Sequence, residues 1–211
     1  MSNSYIGVSG IARKITGGYI GVNNVARKIT KAYVGDENGK AKLIYTATAP
    51  QTIITFTDVI APSSWTAVTT GTKYTATNEY GTWEASASGY TGSYYASNPF
   101  DLVASTQWRK ANMVADEYAW VQQLFPILIN PKVISVRSVR SNKTKLQLLT
   151  TNDTWLDVGN LTKAGGVSWD EFNCNYDQYF KGMRIYGQRY SSDTTYFGIY
   201  ELYVEKGTAI I

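Results

Sequence analysis

Along most of this chain, apolar and polar residues alternate in short runs separated by turn formers. "TIITFTDV" (52–59), "TWEASAS" (82–88), "AWVQQLF" (119–125) and "KVISVRSV" (132–139) read as strands, since residues two apart share a face. "TKLQLLTT" (144–151), "GMRIYGQRY" (182–190) and "FGIYELYVEK" (197–206) read the same way. In the last run, Tyr200, Leu202 and Val204 take one face, and Glu201, Tyr203 and Glu205 the other. Separations of roughly 10–15 residues, rich in turn formers, predict an antiparallel sandwich rather than alternating strands and helices. No stretch carries a convincing helical period. The expected fold is all-β.

The first 46 residues follow a different grammar. "YIGVSGIARKIT" at 5–16 returns as "YIGVNNVARKIT" at 19–30, so that Tyr5, Gly7, Ala12, Arg13, Lys14 and Ile15 recur 14 positions later. A third, looser copy, "YVGDENGKAKLIY", runs from Tyr33 to Tyr45 and is one residue longer between its Gly and its Ala. Each copy reads as strand, turn, strand. Ser9-Gly10, Asn23-Asn24 and the stretch from Asp36 to Gly39 supply the turns, which need residues tolerant of positive φ. A meander of about six short strands is expected, with a solenoid of 14-residue turns as the competing arrangement. Hairpins this short are marginal in water. The segment must therefore pack against something: its own copies in an oligomer (a trimer is favoured), the rest of the chain, or a larger assembly. Residues 1–46 are read as a repeat segment, 47–51 as a linker containing Pro50, and 52–211 as the body.

Composition narrows the classes. Among 211 residues there are 17 Tyr and 6 Trp, which suits strands. One cysteine, Cys174, excludes an internal disulfide framework. No window approaches the apolar length of a membrane span, and the start lacks a basic region followed by an apolar run. A soluble protein that begins in the cytoplasm, with no membrane insertion, is expected. Residues 1–46 hold seven basic and two acidic residues, a net of +5, and the chain as a whole is +4, which leaves −1 for the rest. This asymmetry reads as the solvent face of short strands and not as a nucleic-acid site.

Chemistry is constrained by one absence: the chain has no histidine. Ser-His-Asp and Cys-His catalysis and His-bearing zinc sites are excluded, and Cys174 reads as a small buried apolar residue. The carboxylate pairs Asp116/Glu117 and Asp170/Glu171 are adjacent in turn-like stretches and read as solvated. An enzyme is not expected. Binding is more in keeping with the residues, because aromatic rings with a few placed polar groups make recognition surfaces. "SGYTGSYYASN" offers Tyr90, Tyr94, Tyr95 and Asn98; Arg109 follows "STQW"; and "GQRYSSDTTY" adds Arg189, Tyr190 and Tyr196.

The order of phrases "WEASAS", "YYASNPFD", "STQW", "WVQQLF", "TKLQLLTTNDTWLDVGN", "FKGMRIYG" and "GIYELYVEKG" resembles the discoidin, or coagulation-factor type C, domains, which include galactose-binding-like modules. The resemblance covers about residues 52–207. Leu102 stands where that family has Gly, Gln123 replaces an Asp, and the His used by galactose-binding members is missing. The resemblance implies a jelly-roll sandwich whose end loops bind glycans, lipid headgroups or proteins. It also implies core positions for Trp83, Trp108, Trp120 and Trp155, and a structural Ca²⁺ held by Asp101 and Glu201, with Thr106 as a third contributor. The tandem "YIGVNNVARKI" phrase is similar to repeats in virion proteins of tailed phages infecting Gram-positive bacteria, in tail, baseplate and head-fibre components. Together these imply a virion protein, assembled in the host cytoplasm, that meets other virion proteins through residues 1–46. Its sandwich would present a binding site for host-surface carbohydrate. A purely structural head-decoration or tail subunit is the alternative, and a non-viral bacterial glycan-binding module is a third.

Overall fold

A computed structural model describes residues 5–8, 11–14, 19–22, 25–28, 31–35, 41–46, 51–111, 113, 117–139, 144–161, 166–188 and 197–211. The chain divides into two compact units, Met1–Gln51 and Thr52–Ile211.

The first unit contains β1 (Tyr5–Val8), β2 (Ile11–Lys14), β3 (Tyr19–Val22), β4 (Val25–Lys28), β5 (Lys31–Gly35) and β6 (Ala41–Thr46). They pair as three separate two-stranded sheets, where a continuous meander was expected. The repeat sets the register. Tyr5 faces Lys14 and Gly7 faces Ala12 in the first hairpin, and Tyr19 faces Lys28 and Gly21 faces Ala26 in the second. In the third, a bulge between Ala32 and Tyr33 shifts the pairing from Ala32–Tyr45 to Tyr33–Leu43. The looser copy thus stays a hairpin by letting one residue drop out of the ladder.

The second unit is all-β and antiparallel. Its strands are β7 (Ile53–Phe56), β8 (Thr66–Thr69), β9 (Lys73–Asn78), β10 (Gly81–Ala87), β11 (Trp108–Lys110), β12 (Tyr118–Val139), β13 (Thr144–Thr150), β14 (Trp155–Asn160), β15 (Val167–Asn173), β16 (Phe180–Gln188) and β17 (Phe197–Ile210). One layer runs β14-β13-β16-β12-β10-β9-β8. In the other, β17 lies between β12 on one side and β7 and β11 on the other, and β15 flanks β12.

The 22-residue strand β12 links the layers. Its first half pairs with β10 and β16, its second half with β15 and β17. Two separate strands were expected here. Pro126 and Pro131 lie where partners change: the β16 register shifts between Leu124 and Ile129, and the β17 register between Pro131 and Val133. Proline is tolerated in a sheet at such irregularities because no ladder donor is missed.

Both halves of β12 feed one core. Ala119 and Val121 are buried from the first half, and Ile134 and Val136 from the second. They join Trp83, Phe100, Trp108, Leu146, Leu148, Phe180, Met183, Ile185 and Leu202. Full burial of such a Leu, Ile or Phe side chain contributes roughly 1.5–3 kcal/mol. Cys174 is buried too, and desolvation pushes its thiol up to about 11, so it is inert.

Two expectations about side-chain direction are corrected. The register between β12 and β17 shifts so that Arg137 faces Glu201 while Ser138 faces Ile199. Ile199 therefore enters the core beside Leu202, and Tyr200 turns out to meet Arg137, whose guanidinium carbon lies 5.2 Å from the ring centroid. Trp120 and Trp155 are half-buried and lie outside the core.

Candidate functional site

The tyrosine-rich loop after β10 is pinned to the start of β11. Trp108 Nε1 donates to Gly89 O at 2.8 Å, Ala111 N to Thr91 Oγ1 at 2.9 Å, and Asn98 Nδ2 to both Gln107 O and Ser93 O. Inside the loop, Tyr94 N donates to Thr91 O and Asn98 N to Tyr95 O. A surface loop held at this many points presents its side chains with little conformational entropy left to lose on binding.

Those side chains form a small aromatic cluster. Tyr90 is 40% exposed, and its ring centroid lies 5.9 Å from that of Tyr95, which lies 5.8 Å from the buried Tyr74. Gly71 makes room for it. A Cβ there would stand 2.1 Å from Tyr90 Cε1, and the residue has φ +86°, so it combines a left-handed turn with a seat for the ring. Beside this chain of rings, Arg109 lies with its guanidinium carbon 5.3 Å from the Tyr94 centroid. Tyr90, Tyr94, Tyr95 and Arg109 are thus brought together. Asn98 is close in the chain, but its amide nitrogen is committed to the loop's own carbonyls. Arg189, Tyr190 and Tyr196 lie outside the described residues. Gly71, Gly89 and Thr91 are the supports that sequence reading missed; "TTGTKY" carried only an ordinary turn signal.

The following loop gathers oxygens. A short 3-10 helix (Asn98–Phe100) leads into it. Thr106 Oγ1 lies 2.9 Å from each carboxylate oxygen of Asp101, 2.8 Å from Val103 O and 3.3 Å from Asn98 O. One hydroxyl has one proton to give; Asp101 Oδ1 also accepts from Val103 N at 2.9 Å and Val103 O from Thr106 N at 3.0 Å, so Asp101 Oδ2 and Asn98 O are left to share it. Desolvation outweighs the hydrogen bonds from Val103 and Thr106 and raises the Asp101 carboxyl above its usual range. Leu102 adopts φ +60°, in the left-handed region that favours Gly. A side chain in this conformation costs about 1–2 kcal/mol.

Glu201, expected to face away from Leu202, does so but is buried. Its Oε2 accepts no hydrogen bond among the described residues, and Arg137 Nη1 stands 3.6 Å from it. The same Nη1 donates to Ala104 O at 2.8 Å, so Arg137 ties Glu201 to the oxygen-rich loop. Among the described residues no three His, Cys, Asp or Glu side chains converge. A cation at the loop would take the Asp101 carboxylate, the Thr106 hydroxyl and backbone carbonyls, a donor set that suits a hard ion, and Glu201 is joined to it through Arg137.

The carboxylate pairs read as solvated do not form acid–base pairs. Asp170 and Glu171 lie on strand β15 and not in a turn, so they point to opposite faces: Glu171 is exposed, as expected, whereas Asp170 is half-buried with its Oδ2 out of solvent. Glu117 is ion-paired with Lys110, and Asp116 lies outside the described residues.

A second aromatic group lies on the open face of the β14-β13-β16-β12 sheet. The Arg184 guanidinium carbon is 4.1 Å from the Trp155 ring centroid and 4.9 Å from that of Tyr186, and Tyr186 stacks on Tyr118 at 5.0 Å with planes 15° apart. Arg184 Nε donates to Gln147 Oε1, Gln147 Nε2 to Asp157 Oδ1, and Lys145 Nζ to Asp157 Oδ2. Lys145 and then Gln147 hold the Asp157 carboxyl below its usual range.

No family model matches the chain, and no curated protein does either. Among solved structures it is similar to chitosan-binding module 1 of a chitosanase/glucanase from Paenibacillus sp. IK-5, with 20% identity over 56% of this chain and 91% of that one and a TM-score of 0.47. It is also similar to the family 32 carbohydrate-binding module of C. perfringens NanJ, solved with galactose (16% identity, 60% of this chain, 93% of that one, TM-score 0.47). A third is a His 62 mutant of the lectin binding domain of Lectinolysin, complexed with Lewis b (12% identity, 60% and 89%, TM-score 0.48). These are likenesses of fold.

Proposed function

We propose that the second unit is a carbohydrate-binding module whose site is the loop carrying Tyr90, Tyr94 and Tyr95 with Arg109 beside it. The observation that carries this reading is the pinned loop, with an exposed Tyr90 ring and a guanidinium alongside Tyr94. Ring faces stack on the C–H face of a sugar, and a planar multi-donor cation orients its hydroxyls. The sugar is neutral or acidic, since the Arg109 guanidinium borders the loop and the neighbouring Lys110 is balanced by Glu117. The oxygen cluster of Asp101, Val103, Asn98 and Thr106, joined to Glu201 through Arg137, binds Ca²⁺ and stiffens the loop that follows the site.

The hairpin unit is the attachment point. Three two-stranded sheets that pair only internally leave strand edges unpaired among the described residues, and such edges are completed by a partner or by copies of the same chain. The repeat's likeness to phage tail, baseplate and head-fibre proteins makes a virion the proposed assembly and host attachment the proposed role. A bacterial module outside a virion would use the same sandwich, and a head-decoration or tail subunit would need only the hairpins.

A glycan array probed with the full chain tests the reading. Retention on a defined set of glycans is expected, with Tyr94→Ala weakening it about tenfold. No retention on any bacterial envelope polysaccharide would leave only the structural role.

A further inference from the structure

The oxygen-rich loop already has a positive charge beside it. Arg137 lies in the second half of β12, facing Glu201 across the ladder. Its Nη1 donates to Ala104 O at 2.8 Å, stands 3.6 Å from Glu201 Oε2, and its guanidinium rests on the Tyr200 ring at 5.2 Å. Glu201 is 7% exposed, and Oε2 accepts no hydrogen bond among the described residues. An anionic oxygen buried in this way needs either a donor or a cation. Arg137 supplies charge at a distance beyond hydrogen-bond reach. The carboxylate is therefore neutralised but not satisfied.

The loop shows the complementary shortage. Val103 N serves Asp101 Oδ1 and Thr106 N serves Val103 O, which leaves Asp101 Oδ2 and Asn98 O to share the one proton of Thr106, a deficit that a cation would fill. Arg137 cannot relieve them from where it is, because its contact with the loop is at Ala104.

We propose that Arg137 is a built-in competitor for the cation at the 101–106 loop. In the ion-free protein it holds Glu201 and the Ala104 carbonyl together, and a bound divalent ion takes Glu201 Oε2 from it. The proposal rests on the calcium reading above. It follows that the ion binds more weakly than its oxygen ligands alone would dictate, because a fixed positive charge a few ångström away opposes it. The loop also keeps its shape when the ion is absent. The ring of Tyr200 gives the displaced guanidinium a place to stay.

Calcium titration calorimetry on the full chain, freed of ions with chelator, tests this. Arg137→Gln is expected to bind Ca²⁺ at least about tenfold more tightly than the wild type. Without calcium it should melt at a lower temperature, and saturating calcium should remove that difference. A role in packing alone would lower the melting temperature under both conditions and leave the affinity unmoved. Unchanged or weaker calcium affinity in Arg137→Gln, with wild-type binding intact, overturns the competition and leaves the ion standing. No binding heat in either protein overturns the ion and the competition together. Should Arg137→Gln fail to fold, Tyr200→Ala loosens the same guanidinium without removing its charge. A gain of about threefold is then expected, and no gain contradicts the proposal.

Discussion

Two parts of the sandwich use the same residue types in opposite ways. On the sheet face, Trp155 of β14, Arg184 and Tyr186 of β16 and Tyr118 of β12 form a row of contacts, with β13 lying between the first two strands. Arg184 is clamped between two rings and bonded to Gln147, which is bonded to Asp157. On the loop, Tyr90 and Tyr94 are held in place through backbone groups, while the Tyr90 ring stays open to solvent. An aromatic–arginine group is a binding site only if its supports are something other than the binding groups themselves. The ladder is a brace, and the loop is a platform.

Substitutions should separate the two. Removing Arg184 has the largest expected effect. Arg184→Ala loses two ring contacts and a hydrogen bond, and leaves Gln147 Oε1 without its donor. It should destabilise the protein by about 2–3 kcal/mol, seen as a lower denaturant midpoint. Glycan retention below the transition should not change. The double variant Tyr90→Ala/Tyr94→Ala should do the reverse, weakening glycan binding by about tenfold or more while the midpoint moves by less than about 1 kcal/mol. Equal losses of stability in both variants would erase the distinction drawn here.

Much of this was legible in the sequence, and most of what was not has a common cause. Alternation and turn formers sufficed for an all-β antiparallel unit, since those patterns are local. The repeat predicted six strands, and its identical registers show why: Tyr5–Lys14 and Tyr19–Lys28 are the same pair 14 residues apart. One misreading is local, since the stretch with Asp170 and Glu171 reads as a turn and is strand β15; the others depend on register between distant strands. Continuous β12 was hidden by Pro126 and Pro131, which sit where its partners change. Tyr200 was placed with Leu202 because one shift in the ladder, invisible from β17 alone, turns it toward Arg137. Trp155 was read as core, yet it faces outward because Arg184, reached only through β13 and β16 pairing, covers its ring. The loop tyrosines were found because sequence neighbours supply most of that site.

Smaller effects sharpen the brace. Tyr118, 49% exposed at the end of the ladder, contributes one stacked contact. Tyr118→Ala should cost no more than about 1 kcal/mol and leave glycan binding intact. The smallest effect is acid-dependent. Asp157 has its folded-state pKa held down by Lys145 and Gln147, so its contribution is present above the unfolded-state value near ~4 and lost as pH falls through the depressed one. As pH falls below about 4, the wild type should therefore lose slightly more stability than Asp157→Asn. A steeper acid loss in the variant would place the carboxylate outside the brace.

The most direct measurement is a two-dimensional amide and indole spectrum of the full chain titrated with a glycan that it retains. Trp108 Nε1–H is bonded to Gly89 O at the root of the loop, and Trp155 lies on the ladder. The predicted result is movement of the Trp108 indole signal and of backbone amides in 88–98, with the Trp155 signal still. Movement at Trp155 and Tyr118, with the loop unmoved, would contradict the account.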